Sequence, residues 1–217
     1  VSIATAPNPA PAPAPLAQPS PPWRPTPVLD EAEPPLWPLT VEMYSRMVES
    51  GLLTSDDPVY LWEGRLAPLV PIHRPHSSSI TKSFAALFTN LPPGCHAEQE
   101  QPLAFRHRHS VPQPDIMILR GSVEDYSKAF PTTADALLVV EVAEATLARD
   151  RKRADSYAGE EVPIYWLVNL VELRVEVYSQ PEGGSYSHKA TLGPGDSIPL
   201  VLDGREVVRI AVADLLP

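Results

Sequence analysis

From Ala136 to Glu144 the chain reads Ala-Leu-Leu-Val-Val-Glu-Val-Ala-Glu, an apolar β-branched run with one carboxylate, Glu141, inside it. A run apolar on both alternating faces predicts a buried central strand, and Pro163 to Asn169 predicts another. The stretch between them, Thr146 to Ala158, has room for about three helical turns. Upstream, Thr40 can cap a helix from Val41 to about Ser50, with Tyr44, Met47 and Val48 on the face expected to pack on the sheet and Gly51 as its stop. Val59–Trp62 and Leu66–Val70 flank Glu63-Gly64-Arg65, a hairpin signal. Ile80, Phe84, Leu87, Phe88 and Leu91 recur at helical spacing, so Pro75 to Leu91 is expected to be the main helix covering the sheet, ended by Pro92-Pro93-Gly94. A strand over Cys95–Gln101, a basic turn at Arg106-His107-Arg108-His109 and a strand over Asp115–Leu119 follow. After Asn169, Arg174–Tyr178 continues as a strand in a hairpin. Turn signals at Pro181-Glu182-Gly183-Gly184, Pro194-Gly195-Asp196 and Asp203-Gly204 then separate further short strands, and Val212–Leu216 closes the chain with a helical turn. This order predicts a mixed α/β class, a twisted central sheet with helices packed against it.

Residues 1–38 break the pattern. They hold 13 of the 28 prolines, much of it in Pro-Ala alternation. Such composition removes backbone donors, favours extended polyproline II and offers little to bury, so a disordered tail is expected before one domain over 39–217. The tail reads as a spacer or as a ligand for a proline-recognising domain. A single cysteine, Cys95, excludes an intrachain disulfide and a cysteine zinc cluster. With no apolar run long enough to span a bilayer and no secretory pattern at its start, the chain is expected to be soluble and cytoplasmic, with no membrane partner. The formal charge is −10, of which −8 belongs to residues 39–217, so a nucleic-acid-coating role is disfavoured and any contact with DNA needs a locally basic cleft.

Chemistry gathers around the central strand. A lone carboxylate in a buried strand must be neutralised, paired with a base or bound to a cation. The helix after it carries Arg149, Arg151, Lys152 and Arg153, and Pro114-Asp115 opens the neighbouring apolar run, so two acids and a base converge. Asp115 and Glu141 suit Mg²⁺ or Mn²⁺; the bland alternative has Asp115 capping a turn and Glu141 pairing with an arginine. His73, His76, His107 and His109 match no structural zinc module and read as solvated loop histidines. Glu98 and Glu100 are expected to share the solvated face of a strand.

The ordered set Leu39-Thr40, Trp62-Glu63-Gly64, Gln101-Pro102-Leu103, Pro114-Asp115, Glu141-Val142, Asp150, Tyr157-Ala158 and Tyr165-Trp166 resembles the Uma-two family of restriction-endonuclease-like proteins in the PD-(D/E)XK nuclease superfamily. The resemblance implies a restriction-endonuclease-like core, a twisted mixed sheet with flanking helices and extra C-terminal hairpins. It also implies a metal-dependent endonuclease acting on DNA, with Mg²⁺ or Mn²⁺ on Asp115, Glu141 and the main-chain carbonyl of Val142. Gln101 matches a family glutamine that could orient water or phosphate or, equally, satisfy backbone at a strand end, and His76 matches a position at the start of the second helix, where it and its neighbours Arg74 and Ser77 to Ser79 could meet phosphate. Two departures stand out. Ala143 occupies the superfamily's usual lysine position, and the lysine that the family carries on the following helix falls on Arg153 counted back from Tyr157, or on Lys152 if the helix keeps register from the strand. Tyr60 stands where the family commonly has glutamate, and Glu63 is expected on the opposite face. The implied function is therefore a DNA endonuclease with Lys152 or Arg153 assisting. The alternatives are a catalytically degenerate module that keeps the fold for binding or assembly, and an interaction protein recruited through its tail. Cutting both strands of DNA often needs two sites, so a homodimer is expected.

Overall fold

The computed structural model describes residues 37–69 and 73–217; the expected tail and residue 70, the last of the predicted second hairpin strand, lie outside the described residues except for Trp37 and Pro38. Ten strands and three α-helices are described: α1 (Val41–Glu49), β1 (Val59–Trp62), β2 (Arg65–Pro68), α2 (Arg74–Phe88), β3 (Cys95–Gln99), β4 (Ile116–Arg120), β5 (Ala136–Ala143), α3 (Leu147–Gly159), β6 (Ile164–Asn169), β7 (Arg174–Glu182), β8 (Ser185–Leu192), β9 (Ser197–Leu202) and β10 (Arg205–Ala211). The central sheet has the order β3-β4-β5-β6-β7-β8. Only β5 and β6 pair in parallel, with Glu141 opposite Leu167; the other neighbours are antiparallel. A parallel pair needs a crossover, which α3 supplies, and this puts the end of β5 beside the start of α3.

Alternation decides which side of the sheet each residue of β5 faces. Leu138, Val140 and Val142 pack with Ile80 and Leu87 of α2, and with Ile198, Leu200 and Ile210 of the β9–β10 hairpin. Val139 and Ala143 face the other way, into Leu103, Phe105, Ala154, Tyr157 and Tyr165. Glu141 has the parity of Val139 and Ala143, so its carboxylate is aimed at α3. Asp115, two residues before Met117, falls on that same side of the adjacent chain.

Helix α1 departs from the expected packing. Tyr44 is buried against Leu61 and Val111, with Leu39, Val41, Leu53 and Phe130 around them, whereas Val48 is exposed. It covers the β1–β2 hairpin rather than the central sheet, because that hairpin forms its own two-stranded unit, bridged through Leu61 to Val111. The hairpin turn is the pair Glu63-Gly64, with φ of 47° and 75°. A Cβ on Gly64 would lie 2.6 Å from Pro38 Cβ, and Leu39 N–H donates to Gly64 C=O at 2.9 Å, so glycine lets the first described residues close over the turn. Strand β3 stops at Gln99, and Glu100 takes φ 51°. That turn breaks the alternation expected to put Glu98 and Glu100 on one face: Glu98 pairs with His96 at 3.2 Å, while Glu100 turns towards the cleft described next.

Candidate active site

The carboxyl end of β5, the start of α3, the start of α2 and the end of the β1–β2 hairpin enclose a cleft of about 360 Å³. Asp115, Glu141, Val142, Asp150, Arg153 and His76 line it. Asp115 Oδ2 accepts Val142 N–H at 2.6 Å and meets His76 Nε2 at 3.1 Å. A strand residue directs its N–H and C=O to the same edge, so the Val142 carbonyl also looks towards Asp115. Glu141 is 5% exposed. Its Oε1 accepts the Tyr157 hydroxyl at 3.0 Å and pairs with Arg153 Nη1 at 3.5 Å. Arg153 in turn donates through Nη2 to the Tyr60 hydroxyl and lies over the rings of Trp62 and Tyr60.

The helix register explains this set. Asp150, Arg153, Ala154 and Tyr157 recur at three and four residues, one stripe of α3 turned towards the sheet. Lys152 is about 100° away around the axis and is exposed, outside the lining of the cleft. Of the two candidate bases, the structure therefore brings Arg153 to the acids and not Lys152; register runs from Tyr157. Gln101 is also elsewhere. Its amide donates to Gln99 C=O at 3.3 Å, and it lines a larger, mostly apolar groove of about 880 Å³ between α1 and residues 123–131. The expected basic cluster is divided as well. Arg151 is engaged by buried Glu176 and Arg108 pairs with Glu63, while the backbone N–H groups of Arg106 and His107 donate to Glu160 at the far end of α3. Glu63 does not line the cleft, whereas Tyr60 does. Arg149 alone of the other arginines lines the cleft, 3.5 Å from Asp150.

Electrostatically the cleft is acid-rich. Burial pushes the Glu141 carboxyl up to about 8, and Asp115 adds to this while Arg153 and Tyr157 oppose it. Burial works against a charged His76 ring, but the hydrogen bond and charge of Asp115 raise its pKa overall. Tyr157 is raised well above the ordinary tyrosine range by burial and by Glu141, so its hydroxyl stays protonated and donates. Among the described residues no three His, Cys, Asp or Glu side chains meet in a metal-holding group. Two carboxylates and one carbonyl are nonetheless a fitting donor set for a hard cation that keeps several waters, as Mg²⁺ does.

Asp150 as a cleft residue, His76 on Asp115 and Tyr157 on Glu141 were not assigned from sequence. The signal for Tyr157 was present: it lies four residues after Arg153, on the stripe that must face the buried acid.

Residues 41–213 match the profile of the Uma2 family, described as "Putative restriction endonuclease". The chain belongs to the Uma2 family. No curated protein matches it. A solved structure titled as a putative nuclease belonging to DUF820, from Anabaena variabilis, is similar over 82% of this chain and 97% of that one, with a TM-score of 0.64 and 16% identity. The Uma2 chain thus has the restriction-endonuclease-like fold: a mixed sheet, few helices and added antiparallel strand pairs. No helix among the described residues is long and apolar enough to cross a membrane.

Proposed function

We propose that this Uma2 protein is a metal-dependent endonuclease that hydrolyses DNA phosphodiester bonds at the Asp115–Glu141 cleft. The observation that carries the reading is the convergence of Asp115, Glu141 and the Val142 strand edge at the carboxyl end of a central strand. These three would hold Mg²⁺ or Mn²⁺, which supplies charge neutralisation at the phosphate and a more acidic water. The protein's own groups do the rest. His76 and Val142 N–H fix Asp115, and Tyr157 fixes Glu141. Arg153 offers positive charge to a phosphate in the transition state but is too weak an acid to exchange protons near neutrality. Arg149, half exposed beside the cleft, is the available phosphate contact. Cleavage of both strands would use a homodimer.

A second reading, a non-catalytic module for binding or assembly, has its own observation. Arg153 and Tyr60 hydrogen-bond to each other where the family resemblance implies lysine and glutamate. The two readings part in a cleavage assay on plasmid and single-stranded DNA at low salt with Mn²⁺. The nuclease reading expects nicking by the unmutated protein and its loss, by about a hundredfold or more, in Asp115→Asn. No cleavage of either substrate by the unmutated protein favours the binding module.

A further inference from the structure

Asp150 is 3% exposed, yet its Oδ1 has no hydrogen-bond partner. A buried carboxylate oxygen without a donor is unfavourable, and its presence calls for a cause. Two guanidinium nitrogens stand just beyond bonding reach: Arg149 Nε at 3.5 Å and Arg153 Nη1 at 3.7 Å. The same Arg153 Nη1 is 3.5 Å from Glu141 Oε1. One guanidinium group therefore sits between two buried carboxylates, satisfying neither with a good hydrogen bond. The rest of it is confined by the Tyr60 hydroxyl and by the Trp62 ring, 5.1 Å from Cζ. Asp150 and Arg153 are one helical turn apart, so a small rotation of the side chain closes the gap to Asp150.

We infer that Arg153 is a two-position counter-ion. Without a divalent cation it stands against Glu141 Oε1, and it turns to Asp150 Oδ1 when Glu141 gives its oxygens to such a cation. Asp150 is the positioning residue that makes the exchange possible, which explains its unpartnered oxygen. The inference rests on the reading of Asp115 and Glu141 as a cation site. The charge balance supports it: a guanidinium held at Glu141 repels a divalent cation about twice as strongly as it repels a proton. Arg153 left in place opposes cation entry, and Asp150 draws it aside.

The test is calorimetric titration of Mn²⁺ into the unmutated protein, Arg153→Gln, Asp150→Asn and the double variant, with thermal melts to verify folding. Arg153→Gln should bind about tenfold more tightly and Asp150→Asn about tenfold more weakly, typical coupling for groups in contact. In the Arg153→Gln background, adding Asp150→Asn should cost less than about threefold, because there is no guanidinium left to relocate. Equal effects of Asp150→Asn in both backgrounds overturn the proposal. A second readout needs no variant. Titration of the ¹⁵N-labelled unmutated protein with Mg²⁺ should shift the Arg153 Nε–H resonance, and an unmoved resonance in a protein that binds Mg²⁺ also overturns it. Absence of Mn²⁺ binding in all four proteins would instead remove the cation reading on which the inference stands.

Discussion

Lys152 and Arg153 are sequence neighbours that α3 sends in different directions, and the difference governs what the cleft can do. The spacing from Asp150 to Tyr157 allows either residue to be counted to the site. The ambiguity is resolved by Tyr157, whose bulk is buried against Phe105 and Tyr165 and whose hydroxyl donates to Glu141. Anchoring that ring sets the rotation of the helix, and Arg153, one turn earlier, follows it. Arg153→Ala should therefore reduce Mn²⁺-dependent cleavage by about a hundredfold, the scale of removing one charge-stabilising donor, while Lys152→Ala should change it by less than about threefold. Single-turnover assays of both variants check this; a larger loss in Lys152→Ala would contradict the placement. Gln101 lies away from the cleft for a related reason. Periodicity carried β3 on to residue 101, whereas the turn at Glu100 ends the alternation and sends Gln101 to the other groove.

At the scale of elements, β5, α3 and β6 were legible because long buried runs leave few alternatives, and α2 because its apolar spacing is helical. Packing partners were less legible. Helix α1 has an apolar face that suits any apolar surface, and nothing local to it says that the β1–β2 hairpin forms a separate unit. The anchoring of α3 to β7 was likewise invisible, since it depends on side chains far apart in sequence. Burial alone would raise the Glu176 carboxyl, but hydrogen bonds from Arg151, Lys189 and Tyr178 outweigh it and hold it at about 2, below the ordinary 4.5. A carboxyl depressed on folding contributes stability above its unfolded pKa and loses that contribution as pH falls towards its folded value. Denaturant unfolding at a series of pH values should show Glu176→Gln less stable than the parent by about 2 kcal/mol at pH 7, with the gap narrowing between pH 4.5 and about 2. A gap independent of pH would mean that the Arg151–Glu176–Lys189 contacts act through packing alone.

For the whole molecule, the family match and the structural similarity extend over most of residues 39–217, and the tie from Leu39 N–H to Gly64 C=O marks where the fold begins. Residues 1–36 bring little apolar sequence to bury, so a chain starting at Trp37 should melt within about 2 °C of the full chain, a shift corresponding to about 1 kcal/mol or less. A drop of about 10 °C would show that the proline-rich segment packs on the domain. The sheet, the crossover helix and the hairpin all serve one placement, two carboxylates and a strand edge around a cleft. That placement was legible in outline, as Pro114-Asp115 and Glu141-Val142, because buried acids in apolar runs are conspicuous; the partners of those acids were not, because they come from three separate elements. Whether the placement is a cation site is decided most directly by calorimetric titration of Mn²⁺ into the unmutated protein, Asp115→Asn and Glu141→Gln. The account predicts one site per chain in the unmutated protein and its loss in both variants, each of which removes a charged oxygen while nearly keeping its shape. Unchanged Mn²⁺ binding in both variants would contradict it.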